Sequence, residues 1–205
     1  MTERVLTQRE LNRALLARQL LLERAELPVV RAVEALAGMQ GQWLPGPTIG
    51  LWSRLARVDR DEVERAIEAK RLVRATLMRA TIHLVLTADY LRFRPALESA
   101  LRRKWRQYYP RDEEPADLAE LEARVAAAAG EPRTAAELQA LTQPDDERRL
   151  RWFLARHNVP LVRTPELYVE AGAWLDRPLA PTEDGVRHLV RRYLAAFVPA
   201  TLSLT

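Results

Sequence analysis

Arg71-Leu72-Val73-Arg74-Ala75-Thr76-Leu77, then Met78-Arg79-Ala80, then Thr81-Ile82-His83-Leu84-Val85-Leu86 run consecutively, and this stretch decides the fold. Aliphatic and β-branched residues on either side of a short break predict two strands, 71–77 and 81–86, folded back as a hairpin. Working upstream, Thr7 followed three residues later by Glu10 forms a capping box. Leu11, Ala14, Leu15, Leu21 and Leu22 then share one face, predicting a helix over 8–24. Pro28 at a first-turn position opens a second helix through Val29, Val33, Leu36 and Ala37 that ends near Gly38. Gly38, Gly41, Gly46 and Gly50, with Pro45 and Pro47, mark the most conspicuous loop of the chain. A short helix over 49–56 follows, and another from Asp59 turns Val63, Ala66 and Ile67 inward. Helices followed by a hairpin are the order of a winged-helix unit.

Downstream, Thr87 caps a long helix to about Tyr108, with Leu97, Leu101, Trp105 and Tyr108 as its core stripe. Asp112-Glu113-Glu114-Pro115 reads as an exposed connection, and beyond it the order repeats. Helices are predicted over 117–129, from Thr134, and over 144–157 with Asn158 as C-cap; short strands follow over 160–163 and 167–170. A last helix covers 182–197. The expected fold is mainly α with short β-hairpins, an α+β class built of tandem winged-helix units. Residues 1–111 hold the first unit and the long helix, 115–181 the second, and 182–205 the start of an incomplete third.

The 205 residues are 48% hydrophobic and 29% charged, which is a globular composition. Cysteine is absent, so disulfides, thiolate metal sites and cysteine nucleophiles are excluded, and a reducing compartment fits. The N-terminus carries no apolar signal region and no run of apolar residues is long enough to span a bilayer, so the expectation is a cytoplasmic protein. All but Lys70 and Lys104 of the 32 basic residues are arginine, and the net charge is +4. Guanidinium groups bind phosphate bidentately, which suits a nucleic-acid partner, although a GC-biased genome also enriches arginine.

Most catalytic signatures are missing. There is no G-x-S-x-G elbow, no Walker loop, and the glycines of 38–50 do not form G-x-G-x-x-G. His83, His157 and His188 are scattered without carboxylates at ligand spacing, so no metal site is expected. Asp112-Glu113-Glu114 and Asp145-Asp146 read as a polar connection and a helix first turn. The helix from Asp59 carries Asp61, Glu62, Glu64 and Glu68, which phosphate repels, so it is not expected to read DNA in the helix-turn-helix manner. Basic clusters lie elsewhere: Arg148, Arg149, Arg151 and Arg156 on the corresponding second helix, Arg71, Arg74 and Arg79 on the hairpin, and Arg102, Arg103, Lys104 and Arg106.

Gly38-Met39-Gln40-Gly41-Gln42-Trp43 places two primary amides two residues apart in the glycine loop. An amide is no strong base, but it can orient a water and offer its carbonyl oxygen to positive charge growing on a sugar. That is enough when the leaving group is already activated, as in an N7- or N3-alkylated purine, whose cationic ring leaves without a strong general acid.

At this point the sequence resembles the winged-helix DNA glycosylases of the AlkZ type, which excise alkylated bases and unhook interstrand crosslinks. The resemblance rests on Gly38-Met39-Gln40-Gly41-Gln42 and Gly50-Leu51-Trp52-Ser53-Arg54-Leu55. It continues through Arg71-Leu72-Val73-Arg74, Leu77-Met78-Arg79-Ala80-Thr81-Ile82-His83-Leu84-Val85 and Arg192-Tyr193-Leu194-Ala195-Ala196-Phe197. The family's two-glutamine motif falls on Gln40 and Gln42, which the resemblance implies are catalytic. Thr81 and His83 match a further motif on the hairpin. The family usually carries a larger hydrophobic residue where Gly41 stands and glycine where Ala80 stands. Its members have three winged-helix units, so the resemblance implies a chain that stops as the third begins.

The resulting expectation is a cofactor-free DNA glycosylase that hydrolyses the N-glycosidic bond of alkylated purines, interstrand crosslinks included, in DNA repair or genotoxin resistance. Double-stranded, damaged DNA is the partner, in a bacterial-type nucleoid. Gln40 and Gln42 are the catalytic candidates; Arg79, Thr81, His83, Arg148, Arg149 and Arg151 are the DNA-binding candidates. The alternative is a non-catalytic winged-helix regulator or drug-sequestering protein.

Overall fold

The Thr7–Glu10 capping box forms as its spacing predicts, Thr7 Oγ1 accepting from Glu10 N at 3.2 Å and Glu10 accepting from Thr7 N at 2.8 Å. In the computed structural model, residues 5–197 are described apart from 44, 60, 143–147 and 165. The helix that the box starts, α1 (Gln8–Arg18), is shorter than the expected 8–24, because Leu20 turns into the left-handed region at φ 55°. Then come α2 (Val29–Ala35), β1 (Met39–Gln40), α3 (Gly46–Trp52), α4 (Glu62–Glu68), β2 (Leu72–Thr76), β3 (Ile82–Leu86) and α5 (Thr87–Arg103). The second half follows with α6 (Leu118–Ala128), β4 (Arg133–Thr134), α7 (Ala135–Ala140), α8 (Arg148–Asn158), β5 (Leu161–Arg163), β6 (Leu167–Glu170), α9 (Ala171–Leu175) and α10 (Thr182–Phe197). The start expected for α8 at Pro144, the pair Asp145-Asp146 and the stretch 198–205 lie outside the described residues.

The fold is α+β and mainly helical, with helices preceding a hairpin in both halves. Three short elements are not legible in the sequence: β1, β4 and α9. Thr87 does not act as the cap of α5; its hydroxyl donates to Lys70 O at 2.5 Å. The long helix gives way to a 3₁₀ turn at Lys104–Gln107, where Trp105 is buried and Tyr108 is exposed.

The two hairpins join edge to edge in one six-stranded sheet, ordered β1-β3-β2-β5-β6-β4, with Ala75 opposite Val162 at the seam. Period-2 alternation sends neighbouring residues into different cores. Val73, Ala75, Val85 and Val162 pack against Tyr90 and Phe93 of α5 and against α9. Leu72 and Leu84 turn the other way, onto α2, α3 and α4. Leu161 and Tyr168 pack onto α6, α7 and α8.

Buried charges are tied to helix ends. The Arg94 guanidinium pairs with Glu98 and donates to the carbonyls of His157 and Asn158, the last turn of α8, whose free carbonyl ends favour a cation. Asp89 is buried and accepts from His188 Nε2 at 2.6 Å and from Arg192 Nε at 3.1 Å, docking α10 on α5. The close approach requires Gly185, where a Cβ would fall 2.3 Å from Arg92 O.

Candidate active site

The glutamine loop is built onto the free edge of β3. Gly38, at φ +105°, turns the chain out of α2; a Cβ there would strike Val85 Cγ1 at 2.5 Å. Met39 then pairs with Leu84 and Gln40 with His83. Gly41 N donates to Ile82 O at 2.7 Å, but the reciprocal bond of that pair is replaced. Ile82 N donates instead to Gln42 Oε1 at 3.1 Å, while Gly41 O accepts from the buried Arg74 Nε at 2.9 Å. The glycine between the amides is therefore clamped rather than loose: it is buried, bonded at both its N–H and its carbonyl, and flanked by Pro47.

Gln40 and His83, paired across the strands, line a cleft of about 480 Å³ together with Arg79, Arg54, Tyr193 and Phe197. The Gln40 carboxamide is exposed and committed to no partner among the described residues. His83 is buried, and burial pushes its imidazole below the usual histidine range, with the nearby Arg79 charge adding to this. Its Nδ1 lies 3.0 Å from Thr81 O, so Nδ1 carries the proton and Nε2 keeps the lone pair. The Arg74 guanidinium is lowered to about 10 by burial, with the Arg163 charge as a further cause.

One wall of the cleft comes from α10. Tyr193 and Phe197 stack on each other with centroids 5.0 Å apart and planes at 23°. The helix is held there from three sides: Arg18 donates to Ala195 O and Gln19 to Ala196 O, each at 2.9 Å, and Arg192 reaches both Asp89 and the Glu34 carbonyl. The closing Arg192–Phe197 stretch is among the residues that carry the resemblance, but nothing in its periodicity points to the cleft. Arg54, fixed on Gly50 O at 2.7 Å and Gln19 O at 3.0 Å, is equally hidden in the sequence.

A profile of the family described as DNA glycosylase AlkZ-like matches residues 33–204. The chain belongs to the AlkZ-like DNA glycosylase family. Among solved structures it is similar to the Streptomyces sahachiroi DNA glycosylase AlkZ, at a TM-score of 0.72 and 20% sequence identity over 91% of this chain and 56% of that one. The chain thus spans just over half the length of that protein, and the likeness is one of fold. No curated protein matches the sequence.

The remaining expected site residues are dispersed. Arg79 is exposed at the hairpin tip with φ 56°, and Ala80 beside it has φ 57°. Thr81 is half-buried and its hydroxyl donates to Met78 O at 3.1 Å, bracing the turn. Arg148 and Arg149 are exposed at the start of α8. Arg151 requires a correction: it is buried and forms a bidentate pair with Asp117 at 2.7 and 2.6 Å, so it is a structural ion pair and not a DNA contact. His83, also expected as a DNA contact, is buried in the cleft lining rather than on the outer surface. The basic clusters also thin out, since Arg74 is buried and Arg102 is paired with Glu98 and Glu122. Among the described residues no group of three or more His, Asp or Glu is disposed to hold a metal ion, and no helix is long and apolar enough to cross a membrane.

Proposed function

We propose that the chain is a DNA glycosylase that hydrolyses the N-glycosidic bond of an alkylated purine in duplex DNA, with interstrand crosslinks within its range, and that it works on the nucleoid of a bacterial-type cell. The observation that carries this reading is the uncommitted Gln40 carboxamide beside a neutral His83 in one cleft. An alkylpurine is cationic, so the C1′–N bond breaks with its electron pair going to the base, which leaves neutral. Positive charge grows on C1′ and the ring oxygen of the sugar. The Gln40 carbonyl dipole suits that charge, and the same amide can hold the attacking water. As water adds to C1′, its proton goes to His83 Nε2, the one ring nitrogen with a free lone pair.

In this scheme Gln42 acts differently from Gln40. Its carbonyl oxygen is bound to Ile82 N, so only its NH₂ is left to point at a nucleotide, and its main role is to hold the loop. Arg79, Arg148 and Arg149 are exposed cations on the surface and are assigned to phosphate contact. Incubation with duplex carrying a single N7-methylguanine, scored for abasic sites, tests the reading. Release by the wild type that is lost in the Gln40→Ala/Gln42→Ala protein supports it; no release, or equal release, overturns it.

A further inference from the structure

At the seam between the two hairpins three arginines converge. Since Ala75 stands opposite Val162, the antiparallel register brings Arg74 opposite Arg163, and Arg163 in turn pairs with Tyr168. Directly opposed residues share a face, so Arg74, Arg163 and Tyr168 form a row across the seam. The Arg163 guanidinium lies over the Tyr168 ring at 4.6 Å. Arg156, from the last turn of α8, joins them: its guanidinium lies over Phe153 at 5.4 Å and interacts electrostatically with Tyr168, Tyr109 and Arg163.

This group differs from the arginines that carry a carboxylate partner and from Arg54, whose donors go to the Gly50 and Gln19 carbonyls. Arg94 has Glu98, Arg151 has Asp117 and Arg192 has Asp89. The seam has arginines and phenols facing one another and, among the described residues, no carboxylate in the groups that act on Arg74 and Arg156. The Nε atoms of Arg156 and Arg163 are sealed from solvent and donate to nothing. Buried donors are ordinarily satisfied, and like charges in a half-buried seam repel, so an anion with several acceptor oxygens suits the arrangement. Arg156 and Arg163 are only half-buried, which leaves them reachable.

We infer that the Arg74–Arg156–Arg163 seam is a binding site for a phosphate group of the DNA backbone. The fork geometry of guanidinium matches phosphate oxygens, and the phenol hydroxyls of Tyr168 and Tyr109 supply further donors. Because Arg74 also donates to Gly41 O, a phosphate held here fixes the strand relative to the glutamine loop. The inference rests on the glycosylase reading, since that reading makes DNA the partner.

The test is the salt dependence of duplex binding for the wild type, Arg156→Ala, Arg163→Ala and the double variant, with thermal melting of each. The expected result is a double variant whose slope of log affinity against log salt is shallower by about one for each phosphate no longer neutralised, with affinity about tenfold or more weaker at low salt. Its melting temperature should be unchanged or higher, because repulsion is relieved; a merely structural cluster predicts lower melting. A wild type that releases base beside a double variant of unchanged slope overturns the site and leaves the glycosylase reading standing. A flattened slope in the variant, with no base release by the wild type, supports the site and overturns that reading. Stabilisation by inorganic phosphate with an unchanged DNA slope assigns the seam to a free anion and overturns the inference, as does a wild type that does not bind duplex.

Discussion

The side-chain carbonyl of Gln42 takes the backbone N–H of Ile82 at 3.1 Å, standing in for the Gly41 carbonyl that a regular antiparallel ladder would supply. The displaced carbonyl is taken by Arg74, so one glutamine and one buried arginine together end the strand and aim the loop. The two amides of the motif therefore have unequal surroundings, Gln42 bound to the strand and Gln40 exposed, and their variants should separate.

Gln40→Ala should reduce base release about a hundredfold or more, the scale of losing an oriented dipole, with duplex affinity and melting temperature nearly unchanged. Gln42→Ala should also reduce release, but it strands the Ile82 N–H and should lower stability by about 1–2 kcal/mol. Single-turnover base release and urea unfolding on both proteins check the split. Equal melting of the two variants contradicts the assigned roles.

The hairpin and the helices around it are legible because their residues follow the two periods that burial imposes. The Thr7 capping box, the helix from Thr134 and the 182–197 helix are legible for the same local reasons. The cleft is not. It is closed by Tyr193 and Phe197, more than a hundred residues from His83, and long-range contacts such as Asp89–Arg192, Arg18–Ala195 and Gln19–Ala196 bring them there. Arg151 misleads because a basic run on a helix looks the same whether a carboxylate such as Asp117 covers one member or none.

Asp117→Asn tests that correction. It removes the carboxylate charge from the bidentate pair with the buried Arg151, and should lower the denaturation midpoint, modestly because Asp117 itself is 43% exposed. The salt slope of duplex binding should stay that of the wild type, whereas Arg149→Ala should flatten it without changing the melting temperature.

His157 makes stability depend on pH. Its Nδ1–H donates to Phe153 O at 2.6 Å, and burial pushes its folded-state value down to about 4. The unfolded chain takes up a proton near 6.5 and the folded one only near 4, so stability is full above about pH 6.5 and falls as pH drops toward 4. The loss has a ceiling of about 3 kcal/mol. Urea midpoints at pH 7.5 and 4.5 should differ, and His157→Gln should narrow the difference. The same direction holds in the cleft: His83, held below the ordinary histidine range, should sustain base release to a lower pH than a free imidazole, with activity falling as it protonates.

Ala80 occupies the left-handed region at φ 57°, where a side chain is strained. Ala80→Gly relieves that strain and loses some unfolded-state rigidity, so it should raise stability by about 0.5–1 kcal/mol. An unchanged or lower denaturation midpoint shows that the turn carries no such strain.

Gly185→Ala tests whether the docking of α10 shapes the cleft. The added Cβ would fall 2.3 Å from Arg92 O and 3.3 Å from Ala96 Cβ, and the backbone oxygen cannot turn aside, so the helix must lift from α5. Lifting stretches the Asp89 contacts to His188 and Arg192 and withdraws the Tyr193–Phe197 wall, while Gln40 and His83 stay in place on the β1–β3 pair. Melting temperature should fall, and base release should fall with it even at temperatures where the variant is fully folded by circular dichroism. Tyr193→Ala removes the wall without moving the helix; it should reproduce the loss of release and leave the melting temperature near that of the wild type. Should Tyr193→Ala release base at the wild-type rate, the aromatic wall has no part in the reaction and α10 serves the fold alone.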